Sequence, residues 1–158
     1  GEADNTVMSD EVNAVKELFD TATIPNEVCV DMLRAIWIKF MRNVSMNQLS
    51  AITGATYGGF INIPELKKAL REVMEEVMSV AQRKGINITK DDIDESVKAI
   101  SGSDPLGKTS MLQDIEAKRK SEVDSFSGVI IEEGKKLGVP TPWNDRIYLL
   151  IKIKEKLY

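Results

Sequence analysis

The sequence predicts an all-α domain, and three observations support this fold class. Apolar residues recur at three- and four-residue intervals along most of the 158 residues, as they do on the buried face of a helix. No stretch alternates apolar and polar residues in the manner of a half-buried strand. Glycine, proline and hydroxyl residues stand where helices would start and end. We expect six or seven helices around one core, because a chain of this length supports one domain.

The first half of the chain predicts three helices. Residues 8–22 form an amphipathic helix, and residues 30–52 form a longer one. Three glycines then end regular structure across residues 53–59. Pro64 suits the first turn of the third helix, and Gly85 suits its C-terminal cap.

The second half of the chain predicts shorter helices. Thr89 and Asp92 form a capping box that opens a helix to about residue 100. After a loop at residues 101–105, another helix starts near Ser110 and bends or breaks around residues 120–121.

Two signals define the last helix of the chain. Gly138 closes the preceding helix, and Pro142 begins the last one. The apolar positions expected to face inward are Ile147, Leu150, Ile151 and Ile153.

Composition argues against several classes of function. Histidine is absent, which excludes a Ser-His-Asp or Cys-His nucleophile and any His-ligated metal site. The net charge of −4 comes without a basic stripe, so no nucleic-acid partner is expected. No apolar run approaches the roughly 20 residues that span a bilayer, so no membrane partner is expected either. A single cysteine, Cys29, fits a reducing compartment, and we expect a cytoplasmic protein.

No glycine-rich phosphate-binding motif is present. Gly54, Gly58 and Gly59 have neither the spacing nor the strand-to-helix context of a dinucleotide fingerprint. We therefore expect no cofactor-binding residue in this chain.

The most unusual feature is one lysine in an apolar run. Lys39 is followed by Asn43 and Asn47 at four and eight residues, and no charge occurs from residue 43 to 64. With Ser50, these residues share one helix face at about 100° per residue. The face indicates a polar cavity in which a lysine could protonate a carbonyl oxygen, because desolvation lowers the pKa of a lysine. The alternative is that the lysine snorkels and the asparagines cap neighbouring helices.

A second constellation lies between residues 110 and 124. Ser110 is predicted at a helix N-terminus, where free N–H groups favour a bound carboxylate. Glu122 is predicted in the first turn of the next helix. Ordinary structural roles stay open for both, an N-cap for the serine and a charge at a positive helix end for the glutamate. The Lys118–Lys120 run favours a solvated face.

These segments resemble the C-terminal helical domain of the ketopantoate reductase (2-dehydropantoate 2-reductase) family. The string from Trp37 to Asn47 is similar to the family's lysine helix. Residues 109–128 are similar to its second signature, and residues 138–144 to the turn before its closing helix. Two positions depart from the family pattern: Gln48 replaces a frequent proline, and residues 56–58 replace a substrate-binding asparagine of some members.

The resemblance implies half of a two-domain enzyme. In that family a Rossmann domain binds NADPH, and a helical domain of the 6-phosphogluconate-dehydrogenase-like type closes the substrate cleft. The reaction reduces 2-dehydropantoate to pantoate, on the route to pantothenate and coenzyme A. Residues 1–5 would be the remnant of the link to a missing N-terminal Rossmann domain, and residues 6–158 the helical domain. A homodimer is a further expected partner arrangement.

By position, the resemblance also implies roles for five residues. Lys39 would be the general acid that protonates the keto oxygen of a small 2-oxo acid as hydride arrives. Asn43 would place the substrate, with Asn47 in the same motif. Ser110 would hold the substrate carboxylate, and Glu122 would bind its hydroxyl side. The chain alone is expected to be inactive and to hold no cofactor.

Two other functions stay open at this stage. One is a reductase of a different 2-oxo acid. The other is a non-enzymatic helical interaction or dimerisation module, whose methionines would pack against a partner helix. Those methionines are Met74, Met78 and Met111.

Overall fold

A computed structural model describes residues 1–157, which form α-helices joined by short turns. The helices are α1 (Asp10–Thr21), α2 (Met32–Arg42), α3 (Gln48–Thr53), α4 (Tyr57–Asn62), α5 (Pro64–Arg83), α6 (Lys90–Ile100), α7 (Ser110–Glu116), α8 (Val129–Leu137) and α9 (Pro142–Glu155). Extended pairing among these residues is limited to one isolated bridge, between Asp4 and Asp31. The predicted all-α class is confirmed.

Two π-helical turns interrupt the regular helices. The first π-turn, Asn43–Asn47, joins α2 to α3 in one bent rod. The second π-turn, Asp124–Gly128, leads directly into α8. Such turns add about one residue to a helical turn and rotate every side chain that follows.

The long helix α5 is the centre of the core. Its eight buried residues are Leu66, Leu70, Val73, Met74, Val77, Met78, Val80 and Ala81. Helices α2, α6, α8 and α9 and the first π-turn all pack against it. Burial of Met74, Met78 and Met111 in this chain's own core shows that the predicted methionine contact with a partner helix is wrong.

Local capping chemistry defines most helix ends, as the sequence predicts. The capping box of Thr89 and Asp92 is present at the start of α6. Prolines occupy the first turns of α5 and α9. Gly85 and Gly138 take left-handed backbone angles just after α5 and α8, with φ of 81° and 68°.

The prediction that regular structure is lost across residues 53–59 is wrong in part, because α4 begins at Tyr57. The Gly58 N–H donates to the Pro105 carbonyl oxygen at 2.8 Å. A Cβ at this position would lie 2.9 Å from that oxygen. Gly58 therefore lets a helix approach a loop closely, and α4 brings the described residues to eight helical rods, one above the expected range.

Two predicted apolar faces are more exposed than expected. In α9, Ile147 and Ile151 are buried, but Leu150 and Ile153 are 49% and 47% exposed. Helix α9 therefore buries only a narrow stripe against its neighbours. Helix α1 buries none of its residues fully, and Val15 and Leu18 on its apolar face are 53% and 64% exposed.

Helix α7 ends in a Schellman motif with a lysine where glycine is usual. Lys118 N–H donates to the Ile115 carbonyl at 3.1 Å, and Arg119 N–H donates to the Asp114 carbonyl at 2.8 Å. The φ of Lys118 is 55°, in the left-handed region. This conformation costs an L-residue roughly 1–2 kcal/mol.

Replacing Lys118 by glycine should therefore stabilise the fold. Glycine relieves the left-handed strain, but it also has a greater entropy in the unfolded chain. The net effect should raise the free energy of unfolding by up to about 1 kcal/mol. Urea denaturation measures this change. Lys118→Ala is the matched control, because it removes the same charge and keeps the Cβ. Equal stability of the two variants would contradict the prediction.

Candidate functional site

The two π-turns lie side by side and bring the predicted site segments together. Phe40, next to Lys39, stacks edge-to-face on Phe126 with ring centroids 6.2 Å apart. The N–H of Phe126 donates to the Glu122 carbonyl at 3.1 Å. Helix α7, which begins at Ser110, packs against the first π-turn. The backbone segments that carry all of the predicted site residues are therefore neighbours.

The five predicted side chains have different degrees of exposure. Lys39, Ser110 and Glu122 are exposed, Asn43 is half-buried, and Asn47 is only 8% exposed. Within residues 1–157 none of these side chains makes a hydrogen bond or an ion pair. No buried side-chain N or O atom in this part of the chain lacks a partner, so the free amide atoms of Asn47 reach accessible space. All five polar groups remain available to a ligand.

Two serines of the same rod differ from the five predicted residues, because the hydroxyl of each donates a hydrogen bond to a backbone carbonyl. Ser45 Oγ donates to the Met41 carbonyl at 2.7 Å. Ser50 is fully buried, and its hydroxyl donates to the Ala55 carbonyl at 2.6 Å. The prediction that Ser50 shares the open face with Lys39 is wrong, because the π-turn rotates the helix between them.

The structure tests the ordinary capping roles that the sequence left open for these residues. Asn43 and Asn47 stand at the end of α2 and the start of α3, but neither side chain makes a capping hydrogen bond among the described residues. Ser110 begins α7, but its neighbour Thr109 is the N-cap, whose hydroxyl accepts from the Leu112 N–H at 3.2 Å. Glu122 precedes the second π-turn rather than lying in a first helical turn.

Lys39 and the basic run are both solvated. The exposed side chain of Lys39 shows that residues 1–157 alone do not form the water-shielded cavity that the sequence indicates. The Lys118–Lys120 run is also exposed, as predicted. Shielding of the lysine would need cover from outside this part of the chain.

Glu155 holds the segment that carries Glu122, and the sequence analysis missed it. Its Oε1 accepts from the Ser121 N–H at 2.8 Å and from the Ser121 hydroxyl at 2.7 Å. Lys152 lies 3.5 Å from the Glu155 carboxylate, which is 11% exposed. The signal that could have found it is a lone acidic residue among the lysines near the end of the chain.

These contacts set the ionisation of Glu155 and Asp124. Burial acts to raise the pKa of Glu155, but the bonds from Ser121 and the charge of Lys152 outweigh it and lower that pKa below its ordinary 4.5. The Tyr148 hydroxyl donates to Asp124 at 2.9 Å and, with Lys152, lowers the pKa of that carboxyl. Both carboxylates are therefore charged at neutral pH and tie the Glu122 segment to α9.

The described residues do not fit a dinucleotide cofactor or a metal ion. Gly58 is packed on Pro105 and Gly59 on Ala55, so neither leaves its backbone free to cradle a phosphate. Gly54 serves as the left-handed cap of α3. Within residues 1–157, no cluster of three or more potential ligands could hold a metal ion. None of the helices in this range has the length and apolar character required to cross a membrane.

The fold and the side chains of Lys39, Asn43 and Asn47, which are unpartnered within residues 1–157, define an all-α domain with an open polar surface. A profile of the ketopantoate reductase PanE/ApbA C-terminal domain matches residues 31–155. The chain belongs to this family, and the resemblance seen in its sequence is confirmed.

Individual relatives agree with the profile. The 2-dehydropantoate 2-reductase of Pyrobaculum aerophilum is 31% identical over 121 residues, which cover 77% of this chain and 43% of that protein. A PanE/ApbA family ketopantoate reductase from Ralstonia eutropha JMP134 superposes with a TM-score of 0.82 and 30% identity, covering 94% of this chain and 49% of that one. A D-mandelate dehydrogenase with NADH and anilino(oxo)acetate superposes with a TM-score of 0.83 and 25% identity. The superposition covers 94% of this chain and 50% of that one. The chain spans about half the length of the curated relatives it matches.

Replacing Glu155 by Gln should remove a pH-dependent part of the stability. Because the folded pKa of Glu155 is lowered, its charge contributes stability that is present above pH 4.5 and is lost as the pH falls through the folded pKa. The wild-type chain should exceed the variant in free energy of unfolding at about pH 7, and the difference should shrink by about pH 3. Urea denaturation at both pH values measures it.

Glu95→Gln is the control for this experiment, since Glu95 is exposed on α6 and has no ion pair within the described residues. A Glu155→Gln difference that stays constant with pH would contradict the assignment.

Proposed function

We propose that this chain is the substrate-binding and proton-donating domain of an NADPH-dependent 2-dehydropantoate 2-reductase, which reduces ketopantoate to pantoate in pantothenate and coenzyme A biosynthesis. One observation carries the proposal. The five polar side chains to which the resemblance assigns site roles lie on adjacent segments, and none of them bonds to the described protein. The amide atoms of Asn43 and Asn47 reach accessible space without a partner in the described protein, so both are open to a ligand at this surface.

Lys39 is the proposed general acid. Its ammonium group donates a proton to the keto oxygen of the substrate while that oxygen gains negative charge. A cation at this position also stabilises the developing charge electrostatically. Exposure of Lys39 in this chain fits a proton donor that is covered only when a second domain closes over the substrate.

The other four residues hold the substrate in the proposed site. Asn43 lies one helical turn from Lys39, and its N–H donates to the Lys39 carbonyl, so both face the same side. Asn47 presents its amide from a largely buried position. The Ser110 hydroxyl donates to the substrate carboxylate, and the Glu122 carboxylate accepts from its hydroxyl group. Such contacts orient the keto carbon for reduction.

A separate Rossmann domain is the proposed partner and the proposed holder of NADPH. The described residues do not fit a dinucleotide, and the chain spans about half of its relatives. Helix α1 exposes Val15 and Leu18, and α2 exposes Leu33 and Ile36. We propose that these exposed faces of α1 and α2 lie against the second domain. Residues 1–5 are proposed to be the remnant of the link between the domains.

Two further properties belong to the same proposal. The exposed apolar face of α9 favours self-association, so a homodimer is proposed. The free thiol of Cys29 fits a reducing cytoplasm as the site of action.

A reductase of another 2-oxo acid is the second candidate function. It is favoured by the structural similarity to the D-mandelate dehydrogenase, whose TM-score of 0.83 matches the 0.82 of the Ralstonia eutropha ketopantoate reductase at a lower identity, 25% against 30%. Comparing kcat/KM for ketopantoate and for an aromatic 2-oxo acid separates the two candidates. The interaction-module alternative has lost its support, because its methionines lie in the chain's own core.

Lys39→Ala in the whole enzyme should lower kcat by roughly 10²–10⁴-fold, because it removes the proton donor. Steady-state kinetics at neutral pH measure this loss. Lys67→Ala is the control, since Lys67 is an exposed lysine of α5 without an ion pair in the described chain. Asn43→Ala should weaken use of the oxo acid and leave NADPH binding nearly unchanged. A near-normal kcat for Lys39→Ala would show that another group is the acid.

The isolated 158-residue chain should neither bind NADPH tightly nor reduce an oxo acid. The reason is that most of the binding energy of a dinucleotide comes from a glycine-rich turn at a helix N-terminus. Isothermal calorimetry of the chain against NADPH measures this directly, with the whole enzyme as the positive control. Micromolar or tighter affinity for the isolated chain would contradict the prediction.

A further inference from the structure

A single buried amide connects the two π-turns. Gln48 is fully buried, and its Nε2 donates to the Val44 carbonyl of the first π-turn at 2.5 Å. Its Oε1 accepts from the Ser127 N–H of the second π-turn at 3.3 Å. The two turns belong to segments separated by 79 residues in the chain. One side chain therefore fixes the distance between two backbone segments that are remote in sequence.

The connection continues through the core as a polar chain. Ser127 Oγ donates to Asn144 Oδ1 at 2.9 Å, and Asn144 Nδ2 donates to Glu76 Oε2 at 2.9 Å. The Glu76 carboxylate also accepts from the N–H groups of Trp143 and Asn144 at the start of α9, at 2.7 and 3.1 Å. Gln48, Ser127 and Asn144 are all fully buried. Water does not compete for the bonds among these three residues, so those bonds resist displacement.

The position of the first π-turn can be held by the hydrogen bond from Gln48 to Val44, because a π-turn is irregular backbone. A π-turn shifts helical pairing from the fourth to the fifth residue, and it is a less regular structure than the α-helix around it. Asn43 and Asn47 are the first and last residues of this turn. The second π-turn begins two residues after Glu122. Any slip of one turn against the other would change the spacing between these proposed substrate contacts.

We propose that Gln48 is a positioning residue that holds the Asn43–Asn47 turn and the Glu122 segment in register for substrate binding. The catalytic meaning of this inference rests on the proposed function, whereas the structural coupling does not. Gln48 faces the core and touches no predicted substrate group, so it acts through the two turns. Misplacement of a substrate contact by about 1 Å can lower the rate about 10²-fold.

The structural arm of the test uses the isolated chain and backbone NMR. Gln48→Met removes both bonds while keeping a similar volume. It should shift amide resonances in both π-turns and speed hydrogen exchange of the Ser127 amide at least tenfold. Ser50→Ala is the matched control, because the buried hydrogen bond that it removes joins Ser50 to Ala55 at the end of α3 and reaches neither π-turn. Its effects should be confined to that end. Exchange of Ser127 that is equal in wild type and Gln48→Met would overturn the coupling.

Gln48→Glu keeps the inference testable even where Gln48→Met fails to fold. A neutral glutamic acid offers one O–H donor and one acceptor in the geometry of the glutamine amide, and burial favours the neutral form. This variant should therefore retain the coupling between the turns. Loss of the coupling in Gln48→Glu with an intact fold would overturn the inference.

The kinetic arm uses the whole enzyme. Gln48→Met should lower kcat/KM for the oxo acid about 10–10²-fold and leave the KM for NADPH unchanged, and Gln48→Glu should restore most of the loss. Equal effects on both substrates would indicate general destabilisation and contradict a positioning role. The two failures are distinguishable. If Lys39→Ala loses activity and Gln48→Met does not, the inference about Gln48 is refuted and the proposed function is not. If Gln48→Met shifts amide resonances in both π-turns but Lys39→Ala stays active, the proposed function is refuted and the structural coupling is not.

Discussion

The side-chain amide of Gln48 donates to one π-turn and accepts from the other in a part of the core that water does not reach. This bridge links the bent α2–α3 rod to the segment that enters α8. From Ser127 the bonds extend to Asn144 and Glu76, and so to the starts of α9 and the middle of α5. A buried polar chain of this kind is costly to leave half-satisfied, and it therefore favours one arrangement of the helices. The candidate site lies at the surface end of that arrangement.

The polar residues of the first π-turn, together with Gln48 directly after it, divide into two groups with different tasks. Ser45 and Gln48 spend their hydrogen bonds on the backbone and define the shape of the rod. Asn43 and Asn47, interleaved with them, make no such bonds within residues 1–157. The same short segment thus contains both a structural and an open set of polar groups. This division is the physical basis for assigning the open set to a ligand.

Sequence reasoning succeeded where the determining chemistry is local. Pro64, the Thr89 capping box and Gly138 mark helix ends through their own backbone geometry or bonds to adjacent residues, so the pattern alone predicts them. The Lys39–Asn43 spacing was equally local, since four residues make one helical turn.

The failures came from interactions between distant segments. A uniform helix would place Ser50 on the open face, but the π-turn makes the helix non-uniform. Glycine spacing predicts that Gly58 ends regular structure, but contact with the loop at Pro105 allows Gly58 to lie inside α4. Glu155 acquires its importance from Ser121, 34 residues away. Gln48 entered the sequence analysis only as a departure from a family pattern, and its bridging role depends on a contact that no local pattern encodes.

The central proposal is that five side chains on α2, the first π-turn, α7 and the segment before the second π-turn bind one small 2-oxo acid. The most direct measurement is a crystal structure of the whole enzyme with pantoate bound. In that structure we expect the Lys39 amine to contact the oxygen formed from the keto group. Asn43, Asn47, Ser110 and Glu122 should make hydrogen bonds to the same molecule. Pantoate bound elsewhere, or bound with Lys39 out of hydrogen-bond reach of that oxygen, would contradict the account.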